Sequence, residues 1–439
     1  MGVRDKSNGK KLTDTSEGIP LNSVTDNIFQ RISSKESALN MVFNVPNLTA
    51  PHTKNLHIRG YVDFYGGYAE HTRNVLFGLE KTGRYSLKLT PIKTPIDIDP
   101  ITWNDLNKFI HPSYFNIDKS DFICIGCPGW FKEEFLPKNR KTIAWTMIET
   151  YTLNEGLVKI INNADVLWNP TTVDFKRMKR SGVECEMDIV HLGFDDKKYN
   201  TAVKPLDIAQ LRGRYVFGVL GSWNKRKGVK EIITAYCKTF KKTDPVSLFL
   251  VCKYGTRPYN DHLGRLKEDI EKWTIKWEFQ RYLEDLGISE HEAPHIAILD
   301  APIHDEIIPN VLARFDCLVG FSRGESTWLP GLQAMAMGIP IIQLKNPCCG
   351  YMDYLHDVAF MCDENKLVDA DEEMYKGTSE LYEGCQLGEG NVEELSKNMK
   401  MLYDCGDIAR SNHRVLYGLS KSSEWTWDKT VEEINERLL

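Results

Sequence analysis

The chain has no apolar run approaching the ~20 residues that a membrane-spanning helix needs, so no transmembrane segment is expected. Met1–Glu17 is polar and lacks the apolar centre of a secretory signal. Surplus positive charge is missing as well: 55 Lys and Arg stand against 61 Asp and Glu, a formal net charge of −6. Dedicated nucleic-acid binders carry a basic footprint, so no such binding is expected. There are no repeats at solenoid periods, no Gly-x4-Gly-Lys-Ser/Thr loop, and no Gly-x-Gly-x-x-Gly after a strand. Cysteine is not scarce, but the eleven are odd in number and irregularly spaced. That suits a reducing cytosol better than a disulfide scaffold, and a cytoplasmic location is expected.

What is present is length and patterning. The 439 residues suffice for two or three domains, and 42% apolar content supplies their cores. Residues 1–40 read as a polar, flexible tail, with a first strand at Met41–Val45. Helical and strand-like stretches then alternate: a helix through Val75–Leu79, strands at Phe122–Ile125 and Thr142–Thr150, a helix at Leu153–Ile161, a strand from Ala164, a helix at Val173–Lys179 and a strand and turn at Ile189–Asp195. Lys197–Arg214 is polar and reads as a linker. A second alternating series opens at Tyr215, with a helix at Val229–Phe240 and strands at Ser247–Lys253 and His295–Asp300. Between those two strands, 259–294 reads as an insertion with a helix at Glu268–Trp277. A helix at Glu306–Phe315 follows, and a last helix begins at Trp425. The pattern predicts an α/β protein with domains at 41–205 and 206–420, and a C-terminal helix within 421–439.

The most informative stretch is Phe321–Gln343. A short apolar strand, Cys317–Phe321, runs into a polar loop. Pro330 suits a helix start, Gly338 and Pro340 stop the helix, and Ile339–Ile342 reads as the next strand. The amides of Trp328–Leu332 are expected to point out of the helix start, where an anion is welcome. Glu325 precedes them, which suits a ligand that also offers neutral hydroxyls. Elsewhere, Gly66-Gly67 opens a helix and allows close backbone approach. Lys225-Arg226-Lys227-Gly228 follows a strand and can meet phosphate, or can be a solvated basic turn. Glu149 stands at a strand's polar end, where α/β domains face a ligand crevice. Asp97 and Asp99 form an Asp-x-Asp without further ligands, and Cys124-x-x-Cys127 lacks a second pair, so no metal is expected. Asn47-Leu48-Thr49 is a glycosylation sequon read as chance.

Glu325 and Gln333 are separated by seven residues, with Leu329-Pro330 between them and Ala-Met-Ala-x-Gly-x-Pro-Ile-Ile after. This segment resembles the Glu-x7-Glu element of retaining GT-B glycosyltransferases, family 4. The resemblance covers about 58–438 and is specific at 215–228 and 317–343. It implies two Rossmann-like domains facing across a cleft, with the C-terminal helix crossing back to the first. It implies transfer of a sugar from a UDP- or GDP-sugar to an acceptor hydroxyl with retained configuration. No cofactor or metal is required, and the acceptor is a glycan, lipid, protein or small molecule. Glu325 would hold donor-sugar hydroxyls, and Lys227 with Arg226 would hold the diphosphate. Gly66, Gly67, Ser222, Ser326, Thr327, Trp328 and Leu329 would line the donor, Gln333 would meet ribose, and Glu149 would face the donor from the first domain. Two positions depart from the family: Gln333 replaces a Glu, and Ser222 an Arg. They keep open a non-catalytic sugar-nucleotide-binding or partner subunit. A sugar-nucleotide epimerase with paired Rossmann domains is a further alternative.

Overall fold

A computed structural model describes residues 54–62, 66–93, 100–113, 115–254, 274–300, 303–375 and 378–439. The expected tail, the strand at Met41–Val45, the sequon, Asp97, Asp99 and the first part of the 259–294 insertion lie outside the described residues.

The first sheet is parallel throughout. Its strands are β1 (Lys54–Gly60), β2 (Tyr85–Pro91), β3 (Ser120–Ile125), β4 (Thr142–Trp145), β5 (Val166–Asn169) and β6 (Glu186–Ile189), in the order β2-β1-β3-β4-β5-β6. Both β4 and β5 are buried along their whole length, as strands covered on both faces must be. Helix α1 (Gly67–Thr82) follows β1 and buries Val75, Leu76 and Leu79. Gly66 makes its entry possible with φ at 116°, a conformation that glycine adopts at no steric cost. Helix α2 (Thr172–Arg180) follows β5, with the Thr171 hydroxyl accepting the Asp174 N–H as its cap.

The second sheet comprises β7 (Tyr215–Trp223), β8 (Val246–Tyr254), β9 (Ile296–Leu299), β10 (Cys317–Val319), β11 (Ile341–Lys345), β12 (Phe360–Asp369) and β13 (Gln386–Gly390). Its order is β13-β12-β11-β10-β7-β8-β9, parallel except for the antiparallel β12–β13 pair. Helix α3 (Val229–Thr239) follows β7, and α4 (Leu329–Ala336) joins β10 to β11. The last helix, α5 (Trp427–Leu438), returns to the first sheet. Val431 packs where a side chain on Gly78 of α1 would stand, Tyr85 donates to Asn435 at 2.7 Å, and Lys54 donates to the Leu438 carbonyl at 2.8 Å. The fold is therefore α/β, with two Rossmann-like sheets and a C-terminal helix that crosses back.

Several boundaries differ from the sequence expectation. The strand and turn placed at Ile189–Asp195 come earlier in their strand part, which is β6, Glu186–Ile189. The residues after it turn away, because Phe194 forms a parallel bridge with Thr426. The strand expected to reach Thr150 stops at Trp145, and the Met147 amide goes to the Tyr68 hydroxyl instead. Of the helix placed at 268–277, residues 268–273 lie outside the described residues, and a helix capped by Thr274 is described at Ile275–Asp285.

The halves are tied by more than the polar connection. Between β12 and β13 the chain leaves its sheet and crosses to the first domain. Met374, Tyr375, Tyr382 and Cys385 are buried there with Phe122, Phe131, Ile148 and Leu157. Asn154 of the first half donates to the carbonyls of Leu381 (3.1 Å) and Glu383 (3.0 Å).

Candidate active site

Two turns set the floor of the cleft. After β7, Asn224 caps the Lys225–Lys227 turn by accepting the Lys227 N–H at 2.9 Å. Gly228 then takes φ 69°, and a Cβ there would lie 2.2 Å from the Phe321 carbonyl oxygen. Glycine thus lets the basic turn lie directly against the loop after β10. That loop is equally tight against the first domain: a Cβ on Gly324 would meet the Glu149 carbonyl oxygen at 1.8 Å.

These approaches assemble a buried charge cluster. The Arg226 guanidinium donates to the Gly324 carbonyl at 2.6 Å and lies 3.1 Å from Glu149 and 3.3 Å from Glu325. The Lys227 ammonium is paired with Glu325 as well. Ser322 donates to Glu325 at 2.6 Å, and the Glu325 N–H points to the Cys349 sulfur at 3.2 Å. Burial alone would raise the Glu325 carboxyl, but Lys227, Arg226 and the Ser322 hydroxyl outweigh it and hold it below the usual carboxylate range. Glu149 goes the other way: burial pushes its carboxyl up, against the pull of Arg226. The Glu325 carboxylate is therefore matched by two cations from the neighbouring turn.

Helix α4 starts on the same cavity. The free amides expected at Trp328–Leu332 are largely committed. The Trp328 N–H bonds the Tyr354 hydroxyl at 3.0 Å, and the Gly331 and Leu332 amides bond the Trp328 carbonyl. The Thr327 hydroxyl, by contrast, is buried without a hydrogen-bond partner on the cavity wall. Ser326 turns away: its hydroxyl donates to Asp174 of α2 at 2.5 Å. Asp174 is paired with the fully buried Arg177, which donates to the carbonyls of Ile148, Thr150 (2.9 Å) and Cys348 (2.7 Å). Ser326 thus helps to join the domains and does not line the cavity.

The cavity itself, about 330 Å³, opens between the two sheets at the carboxyl ends of β4, β7 and β8. Of the residues singled out in sequence, Gly66, Gly67, Glu149, Ser222, Arg226, Lys227, Glu325, Thr327, Trp328, Leu329 and Gln333 line it. Others were not foreseen. Glu70, one turn into α1, accepts a hydrogen bond from the Gln333 amide at 3.1 Å. Tyr199, Ile303, Asp305 and Ile308 also line the wall. The signal for Glu70 was its position three residues after Gly67, which puts both on one helix face; Asp305 carries no local signal. Cys124 is buried in β3 and Cys127 follows it, both as free thiols. Among the described residues, no group of three His, Cys, Asp or Glu is placed to hold a metal. Two cations, a helix start, an unpartnered hydroxyl and flanking carboxylates can together hold an anion whose neighbouring groups are hydroxyls.

The two facing sheets with the returning C-terminal helix are those of the GT-B fold, and solved structures share that fold. A sucrose-phosphate synthase from Thermosynechococcus elongatus is 13% identical with a TM-score of 0.58, covering 88% of this chain and 98% of that one. An Escherichia coli structure described as trehalose-6-phosphate bound with UDP-2-fluoro glucose is 11% identical with a TM-score of 0.58, covering 88% and 99%. Anabaena HepE, solved in complex with UDP, is 13% identical with a TM-score of 0.54, again covering 88% and 99%. No model of a known protein family matches the chain, and no curated protein matches it in sequence.

Proposed function

We propose that the chain is a glycosyltransferase that moves a sugar from a nucleotide-sugar donor, a UDP- or GDP-sugar, to an acceptor hydroxyl, with retention of configuration and without a metal. The observation that carries this reading is Glu325. Its carboxylate stands in the interdomain cavity, held by Lys227 and Arg226, beside the start of α4. A donor diphosphate would draw on the same two cations and on the helix start. That stabilises the negative charge developing on the leaving group. Glu325 is then released to accept from hydroxyls of the transferring sugar. The E. coli structure is bound with UDP-2-fluoro glucose and the Anabaena structure is in complex with UDP, which supports a nucleotide donor for this shape of cleft.

The test is incubation with a panel of UDP- and GDP-sugars, following release of nucleoside diphosphate and free sugar, then repeating with candidate acceptors. Slow donor hydrolysis that gives way to transfer supports the reading. A non-catalytic, sugar-nucleotide-binding subunit is favoured by one observation: Gln333 stands where the family carries a carboxylate. That reading predicts binding heat with no release of sugar.

A further inference from the structure

We propose that Glu70, from the first domain, supplies the ribose-reading carboxylate that position 333 lacks, so that the nucleotide site is completed only by both domains. This rests on the donor-site reading above. The resemblance puts the ribose contact at Gln333, an amide that can accept from one hydroxyl without charge assistance. Its side-chain nitrogen donates to the Glu70 carboxylate at 3.1 Å, from α1 across the cleft. A carboxylate therefore stands one hydrogen bond from the position that calls for one, on the wall of the same cavity. A ribose diol presents two O–H donors, and a carboxylate can accept both.

The setting suits an acceptor of ligand hydroxyls. The bond that holds Glu70 here comes from a neutral amide, while the nearby Arg73 is paired with Asp305. Burial, with Asp305 adding to it, raises the Glu70 carboxyl to about 7, so donors from a bound ligand would favour its charged form. The starts of α1 and α4 already lie close together, since a Cβ on Gly67 would come within 3.7 Å of the Leu329 side chain. Glu70 thus reaches the second domain's site without rearrangement of the helix.

The experiment is calorimetric titration of the full chain with UDP and GDP, then with the 2′-deoxy and 3′-deoxy forms of whichever binds. Wild type, Glu70→Gln, Glu70→Ala, Gln333→Glu and the exchange Glu70→Gln/Gln333→Glu are compared, with thermal melting to confirm folding. Glu70→Gln should weaken the ribonucleotide about tenfold or more and remove most of the preference over the deoxy forms. The exchange variant, which returns the carboxylate to position 333, should recover both. Ribonucleotide affinity and discrimination unchanged in folded Glu70→Gln and Glu70→Ala overturn this inference alone. A folded wild-type chain that binds neither nucleotide overturns the donor-site reading, and this inference with it.

Discussion

Arg226 and Glu149 face each other at 3.1 Å across the boundary between the two sheets, and Arg226 also lies 3.3 Å from Glu325. One guanidinium therefore joins a carboxylate of each domain. Burial opposes its charge, but Glu149 and Glu325 more than compensate and keep it protonated. Arg226 is a structural cation as well as a proposed ligand-binding one, and its neighbour Lys227 is the more dispensable of the two for the fold.

Replacing each should separate those roles. Lys227→Ala should weaken nucleoside diphosphate binding by about 1.5–3 kcal/mol with a small change in melting temperature. Arg226→Ala should also destabilise the fold, by roughly 3–5 kcal/mol, because it leaves the Glu149 carboxylate without its cation and Glu325 with only Lys227. Calorimetry and thermal melting read the two effects. Unchanged affinity in both variants would remove the diphosphate assignment.

Glu325 and Gln333 should respond differently. Glu325→Ala should depress turnover far more than it weakens the free nucleoside diphosphate, which has no sugar to lose at that place. Gln333→Ala should weaken donor and product together. Donor affinity and product inhibition measured side by side decide it, and wild-type turnover in Glu325→Ala would end the catalytic reading of the loop.

Arg177 makes a stability prediction. It is fully buried, paired with Asp174, and bonded to carbonyls of both domains. Arg177→Ala should cost about 3–5 kcal/mol in urea unfolding. A loss under about 1 kcal/mol would mean that these bonds are easily replaced.

Acid should find His71. The ring is fully buried, lies 4.1 Å from the Trp145 ring centroid, and has neither nitrogen hydrogen-bonded. Burial lowers its pKa from 6.5 to about 3. Between those values the unfolded chain binds the proton and the folded chain does not. Its contribution is therefore complete above pH 6.5 and is lost as pH falls toward 3, at about 1.4 kcal/mol per pH unit. His57, lowered to about 4, adds a slope of the same sign. His71→Leu should flatten the decline of unfolding free energy between pH 6.5 and 4.5 relative to wild type. Equal slopes would show that the ring reaches solvent or a partner.

Turnover should survive a chelator. The proposed charge stabilisation uses Lys227, Arg226 and the α4 start, so treatment with EDTA should leave the rate unchanged. Activity lost to EDTA and restored by manganese would contradict it.

How legible all this was depended on distance along the chain. The loop and helix from Phe321 to Ala336 could be read because their determinants, Pro330 and Gly338, are local. The contacts that correct the reading are remote. Tyr354 reaches back 26 residues to take the Trp328 amide, and Asp174 takes the Ser326 hydroxyl from 152 residues away. Glu70 meets Gln333 across 263 residues. Alternation of strand and helix revealed the two sheets, because parallel strands buried on both faces are continuously apolar. The crossing between β12 and β13 stayed hidden. Its acidic sequence looks solvent-bound, and its buried tyrosines have meaning only against the first domain's surface.

That crossing has a consequence for how the polypeptide comes apart. Met374, Tyr375 and Tyr382 belong to the second half by sequence and to the first half by packing. α5 crosses in the same direction, so the first half draws part of its apolar interior from the second half's chain. The first half is therefore not an autonomous folding unit, and the second half on its own would expose the apolar surfaces that cover it. Severing the polypeptide near residue 205 should yield two insoluble fragments, and the intact protein should denature in one concerted transition.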